Sequence, residues 1–301
     1  MPWGIPIIWK LGTEVGVRLF DHGLVIQRIN FSESSLVLKV LTRLYGKQTL
    51  MARGVRKNGR NGRRAALSGF HTIDLEGQAR SQTAMLVLTR ADIGYARHRI
   101  LHQPTALAAA QVIQEVISRL TADADPCEAL FDVTSSFLDL LEDGGDPLLY
   151  LSMVLGRVIH LLGYGWRLAG CVGCGRLDNL AFFSVKRQQA VCISCGGPYA
   201  ERLLPLTSEV IWAMDCLDWP PDCGTLSPHG AGLLYRIGIN CLARMAGGRL
   251  LTDGPFRAMI GRCPGYTHAP PIQETADDRQ RAFGNFGLSP VQGGIGFELQ
   301  K

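Results

Sequence analysis

Four of the nine cysteines are grouped in two close pairs, which is the strongest chemical pattern in the sequence. Cys171 and Cys174 form the first pair, Cys192 and Cys195 form the second, and 17 residues separate the pairs. Each pair can turn tightly around one side of a tetrahedral ion, and the intervening residues can form a hairpin that brings the pairs together. The spacing therefore predicts a zinc site. Four thiolates leave no open position for water or substrate, so we expect a structural ion and not a catalytic one.

Two other uses of paired cysteines fit this sequence less well. Disulfides need an oxidising compartment, and the sequence carries no signal for one. Redox-active Cys-x-x-Cys motifs do not usually occur in two copies at this separation. The other cysteines lack matching spacing and are expected to be mostly buried as small apolar residues. They are Cys127, Cys216, Cys223, Cys241 and Cys263.

A second pattern is positive charge near the N-terminus. Residues 1–100 contain 16 Lys and Arg against 6 Asp and Glu, whereas the remainder contains 15 against 20. Charge segregated in this way favours an anionic partner, most commonly nucleic acid, over the alternative of a basic face that only contacts water. The residues predicted to contact a phosphate backbone are Lys39, Arg43, Lys47, Arg53, Arg56, Lys57, Arg60, Arg63 and Arg64.

The spacing of these cations indicates how they could follow a phosphate backbone. On an extended strand Lys39 and Arg43 lie on one face, and the residues from Arg56 to Arg64 are predicted to form a mobile basic loop. Single-strand binders usually add stacking aromatic side chains. Tyr45 is available for this role, whereas Phe31 and Phe70 are expected in the core.

The sequence contains no convincing catalytic constellation. A phosphate-binding GxxxxGK[ST] loop and an HExxH motif are both absent, and the seven histidines occur singly. His160, on an apolar helix, is better explained as a core residue than as a base. The absence of a motif does not by itself exclude an enzyme, and the leading interpretation is a non-enzymatic nucleic-acid-binding protein.

The first third of the chain is predicted to be a small β-barrel. Five short segments rich in branched residues alternate with turn residues, which suits either an OB fold or an SH3-like barrel. The predicted strands are Leu24–Ile29, Ser35–Thr42, Lys47–Ala52, Phe70–Glu76 and Met85–Ala91. Residues 1–20 show no clear periodicity and are interpreted as an extension.

The remainder is predicted to be mainly helical, so the fold class is α+β with more than one domain. Helix signals cover Pro104–Leu120, a helix capped by Asp125, a helix from Asp146 to Gly163, Pro205–Leu217, and a helix from Ser227 to Gly247. Between the cysteine pairs, 180–183 and 189–191 are predicted strands. The predicted divisions are 1–20, a barrel over 21–100, a helical domain over 101–250 with the knuckle at 170–198, and a flexible tail over 251–301.

The sequence shows no candidate membrane span or secretory signal. The most apolar stretch, 148–162, is interrupted by Arg157 and His160 and is shorter than the ~20 residues that a span needs. The apolar start has its first charge, Lys10, after the apolar run instead of before it. We therefore expect a cytoplasmic protein.

The order of these features resembles the RecO family of bacterial recombination mediators, over about residues 21 to 250. The matching stretches are Gly23-Leu24-Val25-Ile26, Ser32-Glu33-Ser34-Ser35-Leu36, Leu41-Thr42-Arg43-Leu44-Tyr45-Gly46-Lys47, Ala52-Arg53-Gly54-Val55-Arg56-Lys57, Leu161-Leu162-Gly163-Tyr164 and Leu204-Pro205-Leu206-Thr207. Residues 1–20 and the tail after about Arg249 have no counterpart in the family.

The resemblance implies an OB fold followed by a helical domain with a zinc knuckle. It implies binding to single- and double-stranded DNA, annealing of complementary strands, and cooperation with RecR to help RecA replace the single-stranded DNA-binding protein. It also implies that the helical domain docks the C-terminal tail of that protein. Arg176, Lys186 and Arg187, near the knuckle, become further candidates for DNA contact.

Two alternatives from other classes remain. A zinc-containing RNA-binding or ribosome-associated module would use the same electrostatics, since phosphate contacts carry no sequence information. A DNA glycosylase of the formamidopyrimidine type also begins Met-Pro and has a four-cysteine finger. Here Trp3 follows Pro2 in place of the catalytic Glu, and the finger is internal.

Overall fold

Six β-strands in the first third of the chain form one sheet, rich in branched apolar residues that alternate between two faces. The computed structural model describes residues 7–11, 14–56, 62–81, 84–196, 203–215 and 226–261. The strands are β1 (Ile7–Leu11), β2 (Glu14–Asn30), β3 (Leu36–Thr42), β4 (Gly46–Ala52), β5 (Thr72–Ala79) and β6 (Leu86–Tyr95). In β5 the alternation places Ile73 and Leu75 inside the sheet and Thr72 and Asp74 towards its surface.

The sheet closes into a barrel. Its order is β1-β2-β3-β4-β6-β5, and β5 also pairs with β2 from Val17↔Ala79 to Leu24↔Thr72. β4 and β6 are parallel, and the short helix α1 (Gly62–Ala66) lies between β4 and β5 in sequence. A five-stranded Greek-key barrel of this connectivity is an OB fold, which decides between the two barrels that the strand count left open.

The N-terminal segment is not the extension that its weak periodicity predicted. Glu14 to Phe20 form the first half of β2, and β1 pairs with this half from Ile7↔Arg18 to Leu11↔Glu14. Because Val17 also pairs with Ala79, this half of β2 belongs to the closed barrel. Residues 1–6 lie outside the described part of the chain.

The helices begin where capping residues predicted. α2 spans Pro104–Leu120, α4 spans Pro147–Leu161 and α7 spans Pro228–Met245. The Asp146 carboxylate accepts from the backbone N–H groups of Leu148 and Leu149, and the Ser227 hydroxyl accepts from Gly230 N–H. These contacts satisfy N–H groups that the first turn of a helix leaves unpaired.

The remaining helices differ from prediction in their bounds. α3 spans Glu128–Glu142 with Cys127 as its N-cap, so Asp125 lies before the helix. The barrel holds that segment, because Ala124 N–H donates to Lys47 O and a Cβ on Gly46 would meet Asp125 O at 2.1 Å. α6 spans Ser208–Asp215, and Leu203–Pro205 upstream of it is strand β9. The predicted end at Leu217 lies outside the described residues.

A last helix, α8 (Asp253–Ile260), lies in the region predicted as tail. Phe256 is buried against the Tyr235 ring, with 5.2 Å between ring centroids, and the Tyr235 hydroxyl donates to the Asp253 carboxylate at 2.9 Å. A single buried aromatic residue thus fixes a helix whose own sequence is rich in loop-forming residues. The chain after Gly261 lies outside the described residues.

One hydrophobic cluster joins the outer face of the barrel to the helices. Leu24, Ile26, Leu41 and Phe70 of the barrel region belong to the cluster formed by the apolar faces of α2, α3, α4 and α7. The interior of the barrel forms a second cluster around Leu38, Val40, Leu50 and Ile73. Residues 1–268 accordingly form one compact unit, whereas the second unit, 269–301, lies outside the described residues. Of the predicted domain bounds, the one at residue 100 stays a prediction, whereas β2 runs across residue 20 and α8 lies beyond residue 250.

Candidate metal centre and nucleic-acid interface

A three-stranded sheet positions the four cysteines of the predicted zinc site. It has the order β8-β7-β9, with β7 at Leu180–Ser184, β8 at Gln189–Cys192, and β9. β7 and β8 are the two strands predicted between the cysteine pairs. Cys192 ends β8 and Cys195 lies in the short helix α5 (Ile193–Gly196), while a turn before β7 carries Cys171 and Cys174. Gly175 closes that turn with φ of +75°, a conformation that glycine adopts without strain.

The four sulfur atoms converge. All four Sγ atoms lie within 4.8 Å of one another, and Cys174 Sγ lies 3.7 Å from Cys192 Sγ. Four sulfurs at the usual Zn–S distance of ~2.3 Å from a tetrahedral ion are about 3.8 Å apart. The donor set and its size therefore fit a metal ion. Cys171 and Cys192 are buried, Cys195 is half-buried and Cys174 is exposed.

Backbone donors stabilise negative charge on one of these sulfurs. Burial raises the pKa of the Cys171 thiol, but backbone N–H groups of Cys192, Gly173 and Cys174 outweigh it and lower the pKa to about 6. Hydrogen bonds with the Cys174 and Cys192 side chains, with burial, raise the pKa of Cys195 to about 12. Backbone N–H groups thus favour the deprotonated form of Cys171, and a cation bound by the four sulfurs would favour that form further.

The other described cysteines take no part in this cluster. Cys241 is buried in α7, where burial raises its pKa to about 12, and Cys127 is half-buried. This agrees with the expected role of small apolar residues. Cys216, Cys223 and Cys263 lie outside the described residues.

Two of the predicted DNA contacts bind the helical part of the chain, and of these Lys47 is buried whereas the Arg43 side chain stays 39% exposed. The Arg43 guanidinium donates to both Asp132 carboxylate oxygens of α3, at 2.9 and 3.0 Å. Lys47 is only 5% exposed, and its ammonium donates to Ser118 O at 3.0 Å and Thr121 O at 2.6 Å. The predicted surface role is therefore wrong for Lys47 in this structure, because the outer face of this corner of the barrel is covered by helices.

Other predicted contacts remain accessible. Arg53, Arg56 and Arg64 are exposed and Lys39 is half-buried, as its position on the outer face of β3 requires. Lys39, Arg53 and Arg64 form no ion pair with any residue in the described ranges. Lys57 and Arg60 lie outside those ranges, and of Arg63 only its place in α1 is described.

The candidates near the knuckle are less uniform. Arg176 pairs with Asp178 at 3.6 Å, whereas Lys186 and Arg187 are exposed in the turn between β7 and β8. They add positive charge near the metal centre but share no element with the barrel cations.

The aromatic residues are distributed differently from expectation. Phe70 is buried as predicted, but Phe31 is 61% exposed in the turn between β2 and β3. Tyr45 is half-buried against the barrel core, where burial raises its pKa. The prediction of a core position is thus wrong for Phe31, which lies next to a turn with three serines.

Arg28 is an exposed cation outside the predicted set. The Arg28 guanidinium, near the end of β2, donates to Leu67 O at 3.3 Å and Ser68 O at 3.1 Å, next to α1. The sequence signal that could have identified Arg28 is the scarcity of acidic residues on both sides of it. Glu33 is the single Asp or Glu between His22 and Ile73.

Comparison with known proteins gives concordant matches. A family model described as Recombination protein O N terminal matches residues 18–96, and one described as Recombination protein O C terminal matches residues 101–241. The protein called DNA repair protein RecO from Brucella abortus is 30% identical over 195 residues, covering 63% of this chain and 75% of the relative. Proteins of the same name from Bartonella henselae and Chelativorans sp. are 28% and 29% identical and are covered to 73% each.

No helix in the described part of the chain is both long enough and apolar enough to cross a bilayer.

Proposed function

We propose that this chain, which belongs to the RecO family of DNA repair proteins, binds DNA through the barrel and anneals complementary strands. The observation that carries the proposal is a set of accessible cations on one barrel, in a stretch with one acidic residue: the exposed Arg53, Arg56 and Arg64 and the half-buried Lys39. Such cations displace condensed counterions from a phosphate backbone and screen the repulsion between two strands.

The proposed activity needs no bond chemistry. Annealing requires that two strands be held close with their bases free, and cations supply this by contacting phosphates alone. We therefore propose a mediator and not an enzyme. Family membership favours the mediator over the glycosylase alternative, whose resemblance was limited to the first two residues and a four-cysteine finger.

We propose zinc as the structural ion of the four-cysteine centre. Cys171, Cys174, Cys192 and Cys195 would hold it, and a tetrahedral set of four thiolates from two Cys-x-x-Cys pairs is typical of structural zinc. When bound, the ion would link the turn before β7 to the end of β8. Its chemistry there would be structural.

Three partners follow as proposals from family membership. RecR would act with this chain, the single-stranded DNA-binding protein would dock its C-terminal tail on the helical part, and RecA would benefit indirectly. We propose action in the cytoplasm, at the nucleoid, where this substrate is found.

The first experiment measures annealing of complementary oligonucleotides coated with the cognate single-stranded DNA-binding protein, with this chain added at moderate salt. Rapid annealing supports the mediator. Binding without annealing contradicts it, and stronger binding to structured RNA would favour the RNA-binding alternative.

A charge-removal variant tests the surface itself. Replacing Lys39, Arg53 and Arg64 with Gln should weaken DNA binding and reduce the slope of log K against log salt by up to about two to three units, since each lost phosphate contact changes it by ~0.7 to 0.9. Arg249→Gln, an exposed cation after α7, is the matched control. An unchanged slope in the triple variant would show that the barrel cations do not contact DNA.

A further inference from the structure

The turn between β2 and β3 holds an aromatic ring in solvent. Phe31 is 61% exposed and Ile29, on the same strand end, is 41% exposed. The backbone around the ring is fixed, because Phe31 N–H donates to Ser35 O at 3.2 Å and the Ser32 hydroxyl accepts from Ser35 N–H at 3.2 Å. The ring is thus presented by an ordered turn.

Cations surround this turn. Arg56 N–H donates to Ser34 O at 3.0 Å and its guanidinium donates to Ser32 O at 2.6 Å, so the segment after β4 lies directly against the turn. A guanidinium has five N–H donors, so this bond leaves Arg56 able to contact a phosphate. Arg53 is exposed on the same segment.

The β2–β3 turn also lies at an end of the barrel that can bind a nucleic-acid strand. Leu36↔Ala52 and Leu50↔Leu86 pair at the same end, so the β2–β3 turn, the end of β4 and the start of β6 lie together. In OB folds the loops at this end, between strands 1 and 2 and between strands 4 and 5, flank the surface that takes oligonucleotides. Here the first of these loops carries Phe31.

We propose that Phe31 stacks on an unpaired base of single-stranded DNA whose phosphates contact Arg53 and Arg56. This inference rests on the proposed function and specifies how the bound strand is chosen. Every unpaired base offers a π-face, whereas the faces of bases inside a duplex are covered by their neighbours. Phe31 therefore confers a preference for single strands, while the cations bind either form.

The test compares three ligands of equal length: a single-stranded oligothymidine, the same strand with abasic sites in place of bases, and a duplex. Phe31→Ala should weaken binding to oligothymidine by about 5-fold to 100-fold, the range expected for one stacked base. Binding to the abasic strand and to the duplex should change less than about twofold, and the salt slope should stay constant because no charge is removed.

Two further variants separate stacking from a folding defect. Phe31→Trp should retain single-strand affinity. The fluorescence of the introduced indole, taken as the difference from the wild-type signal, should fall when oligothymidine binds but not when the abasic strand binds. Leu251→Ala removes another highly exposed apolar side chain, on the segment before α8, and should leave all three affinities unchanged.

The outcomes distinguish the two proposals. If the wild-type chain binds none of the ligands, both the proposed function and the stacking role are wrong. If the wild type binds DNA and Phe31→Ala binds oligothymidine as well as wild type, or loses duplex and single-strand affinity equally, the stacking role alone is overturned.

Discussion

The Lys47 ammonium lies at the C-terminal end of α2, where it donates to Ser118 O and Thr121 O and pairs with Asp123 at 3.2 Å. The last carbonyl groups of a helix have no partner within it and carry the negative end of its dipole. A cation from the barrel that satisfies them fastens the barrel to the helix. Lys47 is thus part of the framework that joins the barrel to α2.

Replacing Lys47 with Met should lower the free energy of unfolding by about 2 kcal/mol, because charged hydrogen bonds are lost and buried carbonyl groups are left unpaired. Urea denaturation of both proteins measures this change. Lys39→Met, which removes the same charge from an accessible site, should alter stability by less than about 0.5 kcal/mol. A stable Lys47→Met protein with impaired DNA binding would return Lys47 to the DNA surface.

Among the elements, the short connection between β6 and α2 is held by a carboxylate from α3. Glu142 accepts from the backbone N–H groups of His98, Arg99 and Ile100, at 2.9, 2.9 and 3.1 Å. Partial burial raises the pKa of Glu142, but these N–H groups outweigh it and leave the pKa below its usual value. The carboxylate therefore acts as a cap for the 3₁₀ turn Arg99–His102.

The contribution of Glu142 should disappear in acid. Because its pKa is lowered in the folded chain, its stabilisation is present above the unfolded value of about 4.5 and is lost as pH falls through the lower folded value. Glu142→Gln should cost about 1 kcal/mol at neutral pH, and the difference from wild type should shrink below pH 4.5. Urea titrations between pH 3 and 7 measure it. A difference that does not depend on pH would contradict the ionic cap.

The four-cysteine centre is connected to the helical core through strand β7. Cys171 and Cys192 pack with Val191, Leu180 and Phe182, whereas Phe183 on the same strand enters the helical core. An ion held by the four cysteines would therefore order the knuckle, and its effect would reach the helices through β7.

Replacing Cys174 and Cys192 with Ser should abolish bound zinc and make residues 170–196 sensitive to protease, since metal binding and folding are linked in such sites. Metal analysis should find about one zinc per wild-type chain and none in the variant. Cys127→Ser, outside the cluster, should retain the metal. Equal zinc content in the double variant would refute the assignment.

At the scale of the whole molecule, the barrel and the helices depend on each other. Arg97 is 1% exposed and donates to Phe70 O, Thr72 Oγ1 and Ser135 O, so one side chain joins β5 to α3. Leu41 lies on the outer face of β3 but is buried among helical side chains. A barrel with this face uncovered would expose apolar surface to water.

The described part of the chain should therefore unfold in one cooperative step. Leu41→Ala should lower the global stability by about 2 to 4 kcal/mol, the usual effect of such a deletion in a core. Hydrogen exchange in low urea, followed by mass spectrometry, should show the loss equally in β3 and α4. A loss confined to the barrel would show that the two parts fold independently.

Much of this architecture follows from local sequence. Alternation of apolar residues locates β3 and β5, the caps at Asp146 and Ser227 locate two helices, and the cysteine spacing identifies the metal centre. Each of these patterns acts over a few residues, or over a hairpin that closes on itself, so its physical basis is contained in the segment that shows it.

Only the tertiary structure decided which cations face water. Lys47 and Thr121 are 74 residues apart, and nothing within either segment indicates that one would cap the other. The same holds for Phe31, whose exposure depends on the turn that holds it, and for α8, which depends on burial of Phe256 against Tyr235. The composition of a segment determines its charge and its periodicity, but packing between distant segments determines which of its faces remains free to bind.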